Sequence, residues 1–182
     1  EALQKLLSDE RNNWELHVVA HSAGSIFTTH AVQHLIALGI PFKTVQFLAP
    51  AVRIDEFAQY MGPSIQGGDC PKPTLYILSE ELELDDTVGP YGRSLLWLVS
   101  RAFEDKRDTP ILGMDTYLKA ASNLRNLLGD AVISVAQGRP GAETDSKSHG
   151  GFDNNPSTLN SILYRILGRK PSSEFVQRDL DY

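Results

Sequence analysis

The sequence predicts an α/β fold with about four parallel strands and helices on both faces of the sheet. Short apolar runs alternate along the chain with segments in which apolar residues recur every three or four positions. This alternation is typical of parallel sheets, because the chain returns to the start of each new strand through a helix. The length of 182 residues corresponds to about one domain.

Four apolar runs are too short for helices and are predicted to be strands. The first, "LHVVA", is continuously apolar after its histidine, as expected for a strand covered on both faces. Apolar residues at helical spacing and helix-ending residues predict five helices, the last beginning after Asn155 with Pro156 in its first turn and ending at Gly168. The predicted strands are 16–20, 43–51, 74–79 and 131–137, and the other predicted helices are 1–11, 23–38, 91–104 and 115–128.

Composition excludes several classes of partner and site. The net charge of −6 argues against nucleic acid or an anionic membrane surface, since both select for basic patches. Cys70 is the single cysteine, which leaves no intrachain disulfide and no thiolate metal cluster. No apolar run approaches the ~20 residues that a bilayer span requires, and the first residues do not resemble a signal peptide. We therefore expect a cytoplasmic protein without a membrane span.

Two other patterns are considered and rejected. His30 and His34 have the spacing of a zinc pair, but "HAVQH" lacks the glutamate of the zinc-protease motif and no third ligand is suggested. The glycine-rich stretch 62–71 lacks the lysine of a phosphate-binding loop, and we interpret it as a loop. The sequence thus predicts no metal and no cofactor.

The stretch "AHSAG" places Ser22 where the first strand meets a helix. A nucleophile on such a turn projects its oxygen above the sheet, and the N–H of Ala23 and the helix dipole stabilise developing negative charge. The turn is crowded, so small residues are required at Ala20 and Gly24. The alternative is that Ser22 only caps the helix, since serine is a favoured N-cap.

This pattern resembles the nucleophile elbow of the α/β-hydrolase superfamily, G-x-S-x-G, with Ala20 in place of the first glycine, as in some lipases of that superfamily. The resemblance implies a triad in the order serine, acid, histidine. Of the five histidines, His149 is the one that follows an acid after the third strand. It lies in the glycine-flanked loop "KSHGGFDNN" and is the implied general base.

The resemblance places the acid after the third strand, where "SEELELDDTVGPYG" carries five carboxylates. Its spacing to the following valine and proline favours Asp86, with Asp85 as the alternative. Asp55, after the second strand, is a weaker alternative. We expect at least three of the five carboxylates in the acidic stretch to be solvated.

The resemblance further implies that residues 1–168 are the C-terminal part of an α/β-hydrolase domain, followed by a loose polar tail over 169–182. The 15 residues before the first strand leave no room for the superfamily's earlier strands or for its second oxyanion donor. We expect the first strand to need cover from an N-terminal half or from a second copy. We also expect low turnover from the chain alone, because one lost donor costs about 100- to 1000-fold.

The activity implied is that of a serine hydrolase acting on a small-molecule carboxylic ester through an acyl-enzyme on Ser22. A thioesterase or a peptidase would use the same triad. A non-catalytic, hydrolase-like binding module is the alternative from another class.

Overall fold

The computed structural model describes residues 2–7, 14–137 and 139–180, and it contains a four-stranded, all-parallel sheet. Neighbours in the sheet follow the chain order, β1-β2-β3-β4, so each strand is joined to the next by a crossover that carries helices. The strands are β1 (His17–His21), β2 (Thr44–Leu48), β3 (Thr74–Ile77) and β4 (Ala131–Ile133). The α/β fold class is confirmed.

Eight α-helices, several of them short, lie in the described residues. A π-helical turn, Phe57–Met61, joins the helix Ile54–Glu56 to the helix Gly62–Gly67, and a second, Val99–Phe103, continues the helix Leu95–Leu98. Three 3₁₀ segments complete the set: Ser122–Asn126, His149–Asn154 and Gln177–Asp179. The helices are α1 (Ala2–Leu7), α2 (Gly24–Ala37), α3 (Ile54–Glu56), α4 (Gly62–Gly67), α5 (Glu80–Asp85), α6 (Leu95–Leu98), α7 (Asp115–Ala120) and α8 (Pro156–Leu167). None of them is long and apolar enough to cross a membrane.

Two hydrophobic cores form because successive strand residues point to opposite faces of the sheet. Phe47 packs with Val32 of α2 in one core. Leu48, the next residue of β2, packs with Phe152 and Ile162 in the other. Helices therefore cover both faces, as predicted.

The strands differ from the predicted ranges mainly at their carboxyl ends. The first strand is shifted by one residue, so that His21 belongs to it and pairs with Leu48. The second ends before Ala49, whose φ of +39° cannot continue a strand. The third ends before Ser79, which caps α5, and the fourth ends at Ile133 rather than at 137.

Two predicted helices are shorter than expected. In the range 91–104, the helix begins only at Leu95, because Ser94 caps it by accepting a hydrogen bond from the Trp97 N–H at 3.4 Å. In the range 115–128, α7 ends at Ala120 and a 3₁₀ segment follows. Of the helix predicted over 1–11, residues 2–7 are helical and the remainder lies outside the described residues.

Two segments interpreted as loops are helical. The stretch 62–71 contains α4, which carries Pro63 in its first turn and ends at Gly68, with φ of +84°. Burial of Ile65 anchors this helix, an interaction that local glycine content does not reveal. The acidic stretch after β3 forms α5, capped by Ser79, whose Oγ accepts from the Leu82 N–H at 3.3 Å.

The last helix and the tail complete the fold. α8 has the predicted ends: Asn155 accepts a hydrogen bond from the Thr158 N–H at 2.9 Å, and Gly168 adopts φ of +65°. In the tail, residues 169–180 are mostly exposed but are held to the rest of the fold, contrary to the expectation of a loose tail. The Phe175 N–H donates to Asn160 at 2.8 Å, and Leu180 is 4% exposed.

Candidate active site

The turn between β1 and α2 holds Ser22 in a left-handed conformation, with φ of +51°. This region is costly for residues other than glycine and is concentrated at functional sites. Hydrogen bonds fix the turn on both sides of the serine. The Ser22 N–H donates to the Leu48 carbonyl at 2.9 Å, and the Ser22 carbonyl accepts from the Ser25 N–H at 3.0 Å and the Ser25 hydroxyl at 2.7 Å.

The Ser22 hydroxyl faces His149. Its Oγ lies 2.9 Å from His149 Nε2, a normal hydrogen-bond distance across 127 residues of sequence. The residue at the N-cap of α2 is Ala23, and no side chain caps that end of the helix. The interpretation of Ser22 as a helix cap is therefore wrong.

Ala23 supplies an open main-chain donor beside the hydroxyl. The residue is exposed, and its N–H has no hydrogen-bond partner within the described part of the chain. It directly precedes α2, a helix of 14 residues whose N-terminal end is the positive end of its dipole. An oxygen that gains negative charge next to Ser22 can thus accept a hydrogen bond there.

His149 is the first residue of a 3₁₀ turn rather than part of an irregular loop. Phe152, in the same turn, is fully buried in the core beneath it. Gly151 is closely packed, because a Cβ there would lie 2.7 Å from the Ser146 Oγ and would force that side chain to shift. The sheet and this anchored turn together fix the position of the imidazole.

The environment of His149 keeps its imidazole neutral. The pKa of His149 is lowered from 6.5 to about 4, chiefly by burial and secondly by the charge of His21, while Asp86 and Asp153 oppose the shift. The side chain is 6% exposed. Near neutral pH the ring is therefore unprotonated and able to accept a proton at Nε2.

Asp86 contacts His149 through the main chain. Asp86 Oδ2 accepts a hydrogen bond from the His149 N–H at 2.8 Å, and Oδ1 accepts from the Thr87 N–H at 3.0 Å. His149 Nδ1 is buried and has no partner among the described residues. The acid is next to the histidine as expected, but it does not bond to the imidazole.

The alternative acids lie away from His149. Asp85 is exposed at the end of α5. Asp55 is exposed on α3 and forms a bidentate ion pair with Arg53. The geometry therefore favours Asp86 over both.

One carboxylate of the acidic stretch is buried. Glu83 is 2% exposed, accepts a hydrogen bond from the Ser94 hydroxyl, and leaves its Oε1 without a partner in the described residues. Burial raises its pKa to about 7, and the charge of Asp86 adds to this shift. Glu80, Glu81 and Asp85 are exposed, as expected for at least three of the five.

His21 is a residue of this site that the sequence does not single out. Its Nε2 lies 2.9 Å from the His149 carbonyl oxygen, its Nδ1 lies 3.3 Å from Asp153 Oδ2, and the two histidine rings are 5.3 Å apart. Because His21 precedes every candidate acid, the triad order excludes it as the base. Its position directly before Ser22 is the feature of the sequence that could have indicated that it belongs to the site.

The histidine pair on α2 shows no sign of metal binding. His30 stacks on Tyr60 with the ring centroids 4.5 Å apart, and His34 is exposed. In the described ranges, no group of three or more histidine, cysteine or carboxylate side chains is arranged to hold a metal ion. That no metal takes part in the activity stays a prediction.

Comparison with protein-family models, with curated proteins and with solved structures finds no match to this chain.

Proposed function

We propose that the chain is a serine hydrolase in which Ser22 is the nucleophile and His149 is the general base. The observation that carries this proposal is the 2.9 Å contact between Ser22 Oγ and His149 Nε2, made from a turn in which Ser22 has a positive φ. An activated serine is recognised by a base within hydrogen-bond distance and a third group that orients the base. We propose Asp86 for this third role, exerted through the hydrogen bond that it accepts from the His149 main-chain N–H.

The reaction proceeds in two halves. The Ser22 hydroxyl gives its proton to His149 Nε2 while Oγ forms a bond to the substrate carbonyl carbon, and the Ala23 N–H donates to the resulting oxyanion. Collapse breaks the carbon–oxygen bond to the alcohol, which takes the proton from His149. Water then gives a proton to His149 and attacks the acyl-enzyme, which releases the acid and restores the hydroxyl on Ser22.

A small-molecule carboxylic ester is the proposed substrate class, on the strength of the resemblance to α/β-hydrolases. Thioesters and amides are the alternatives, since the same steps cleave all three. We further propose that β1 is covered by an N-terminal half of the domain or by a second copy. The cytoplasmic location stays a prediction.

One observation favours a non-catalytic binding module instead. His149 Nδ1 has no acceptor in the described residues, whereas the triad acid normally holds that nitrogen. A protein of this second type would keep the fold and lack a reactive serine.

Turnover of a short-chain chromogenic ester by the whole chain separates the two proposals. We expect Ser22→Ala to lower turnover by about 10⁴-fold or more, because removal of the nucleophile leaves only binding effects. Ser172→Ala, on the exposed tail, is the matched control and should keep the wild-type rate. Equal turnover by wild type and Ser22→Ala would refute the catalytic role of Ser22.

A further inference from the structure

Both main-chain polar groups of His149 are held by side chains from other elements. Its N–H donates to Asp86, which follows α5, at 2.8 Å. Its carbonyl oxygen lies 2.9 Å from His21 Nε2, at the end of β1. A carbonyl oxygen can only accept, so His21 Nε2 must carry a hydrogen.

The second ring nitrogen of His21 also faces an acceptor. Nδ1 lies 3.3 Å from the carboxylate of Asp153, which belongs to the same 3₁₀ turn as His149. A neutral imidazole has one donor nitrogen, whereas the imidazolium ion has two. Protonation of the ring would therefore add an ion pair with Asp153 to the hydrogen bond that Nε2 donates to the His149 carbonyl.

We propose that His21 is a positioning residue that holds the turn carrying His149 against the strand that carries Ser22. This proposal deepens the function proposed above and rests on it where activity is the readout. His21 is covalently next to Ser22 and contacts the turn at two points, the His149 carbonyl and the Asp153 carboxylate. These two contacts of His21 set the position from which His149 Nε2 approaches Ser22 Oγ.

These contacts are needed because nothing else in the described residues holds the imidazole by a hydrogen bond except Ser22 itself. His149 Nδ1 has no partner there, so the ring direction follows from the main chain and from packing. The His21 ring packs beside it at 31° between planes. Supporting contacts of this kind hold a base within about 0.5 Å of its productive position.

A positive charge on His21 would have a separate, measurable effect on the pKa of His149. Three charged side chains face His149: His21, which lowers its pKa, and Asp86 and Asp153, which raise it. Glu83, which packs near Asp86, is held in its neutral form at lower pH by burial, with a pKa of about 7. Replacing His21 by a neutral residue should therefore raise the pKa of His149, an effect that loss of packing alone does not produce.

The test compares three variants by the rate of covalent labelling with a fluorophosphonate and by NMR titration of the His149 ring. His21→Gln keeps an N–H donor near the Nε2 position but cannot carry a charge, and His21→Leu has neither. His34→Gln, on an exposed face of α2, is the matched control. Thermal unfolding of each variant verifies that the fold persists.

We expect His21→Leu to slow labelling by about 10- to 100-fold, the rate equivalent of one hydrogen bond to a charged group. His21→Gln should label faster than His21→Leu, and in His21→Gln the titration midpoint of His149 should rise. His34→Gln should change neither quantity.

Wild-type labelling by His21→Leu, or an unchanged His149 midpoint in His21→Gln, would overturn the proposal. If His21→Leu fails to fold, the His149 titration midpoint in His21→Gln is sufficient to test the proposal. The titration needs no activity, so its result stands even if the wild-type chain is not labelled. Absence of labelling would count against the serine hydrolase, and the midpoint would still decide the role of His21.

Discussion

Ser22 keeps its left-handed backbone because its N–H and its carbonyl are both bonded to fixed neighbours, Leu48 and Ser25. A non-glycine residue in this region costs on the order of 1–3 kcal/mol and persists only where its surroundings hold it. The result is a hydroxyl that lies 2.9 Å from His149 Nε2. Strain at a single residue thus accompanies the placement of the Ser22 hydroxyl beside His149.

The contact between Asp86 and the His149 main chain leads to a prediction for the two neighbouring aspartates. Asp86→Ala removes the acceptor of the His149 N–H and should slow labelling of Ser22 by about 10- to 100-fold. Asp85→Ala, at an exposed position, should stay within about 2-fold of wild type. The labelling rates of both variants provide the measurement. The reverse ranking would transfer the acid role to Asp85.

The burial of His149 leads to a prediction for the pH dependence of labelling. A histidine base acts in its neutral form, so the rate should fall only when His149 becomes protonated. Because its pKa is lowered to about 4, the acid limb of the rate should lie well below the ordinary histidine value of 6.5. Measured labelling rates from about pH 3.5 to pH 8 test this, and an acid limb at 6.5 or above would contradict it.

The principal residues of the site are predictable from the sequence, whereas their contacts are not. The strand-to-helix turn with small flanking residues predicts Ser22, and the triad order that the resemblance to α/β-hydrolases implies predicts His149 and Asp86. The three lie together in the structure, and their catalytic roles stay a prediction. Which atom of His149 the acid reaches depends on how the 3₁₀ turn packs, and this is a tertiary property. The contacts of His21 cannot be predicted from the sequence for the same reason, because its partners lie 128 and 132 residues further along the chain.

At the scale of elements, long periodic segments are predicted better than short ones. The ends of α8 are specified locally by Asn155 and Gly168, and they were predicted. α4 is six residues long and rich in glycine, and its stability comes from burial against the core rather than from its own sequence. The second and third strands are shorter than predicted because Ala49 and Ser79 leave the sheet for conformations that are set by their neighbours.

Glu83 connects two elements, since it lies on α5 and accepts a hydrogen bond from Ser94, the cap of α6. Its pKa is raised from 4.5 to about 7, so the folded state binds an extra proton between these values. The resulting stability is fully present below pH 4.5 and is lost as the pH rises through 7. The loss is on the order of 3 kcal/mol.

We therefore expect the free energy of unfolding of Glu83→Gln to fall less than that of wild type between pH 4.5 and pH 8. Glu80→Gln, an exposed position on the same helix, should follow the wild-type curve. Urea unfolding at several pH values measures all three proteins. If the free energy of unfolding of Glu83→Gln falls with pH as steeply as that of wild type, the Glu83 carboxyl of the wild-type protein is ionised over the whole pH range.

At the scale of the whole molecule, the strand that leads into Ser22 lies at one edge of the sheet. β1 pairs with β2 and with no other strand of the described residues. Val19, in the middle of β1, is 44% exposed. An apolar edge strand is a template for pairing with another chain unless it is covered.

The exposed edge predicts that the chain associates with itself, and that a charge on β1 suppresses the association. Val19→Lys should lower the concentration dependence of the sedimentation coefficient, because lysine on an edge strand opposes pairing. Val176→Lys, at a similarly exposed position in the tail, serves as the control and should leave the association unchanged. Equal association of Val19→Lys and wild type would place the contact elsewhere.

Covalent labelling of the whole chain by a fluorophosphonate, mapped by peptide mass spectrometry, is the most direct test of the central claim. The reagent needs one reactive serine and no turnover, so a slow catalyst still gives an adduct. We expect one adduct, on Ser22, that disappears in Ser22→Ala and persists in Ser172→Ala. Absence of an adduct from the folded wild-type chain, or an adduct that survives Ser22→Ala, would contradict the assignment of Ser22 as the nucleophile.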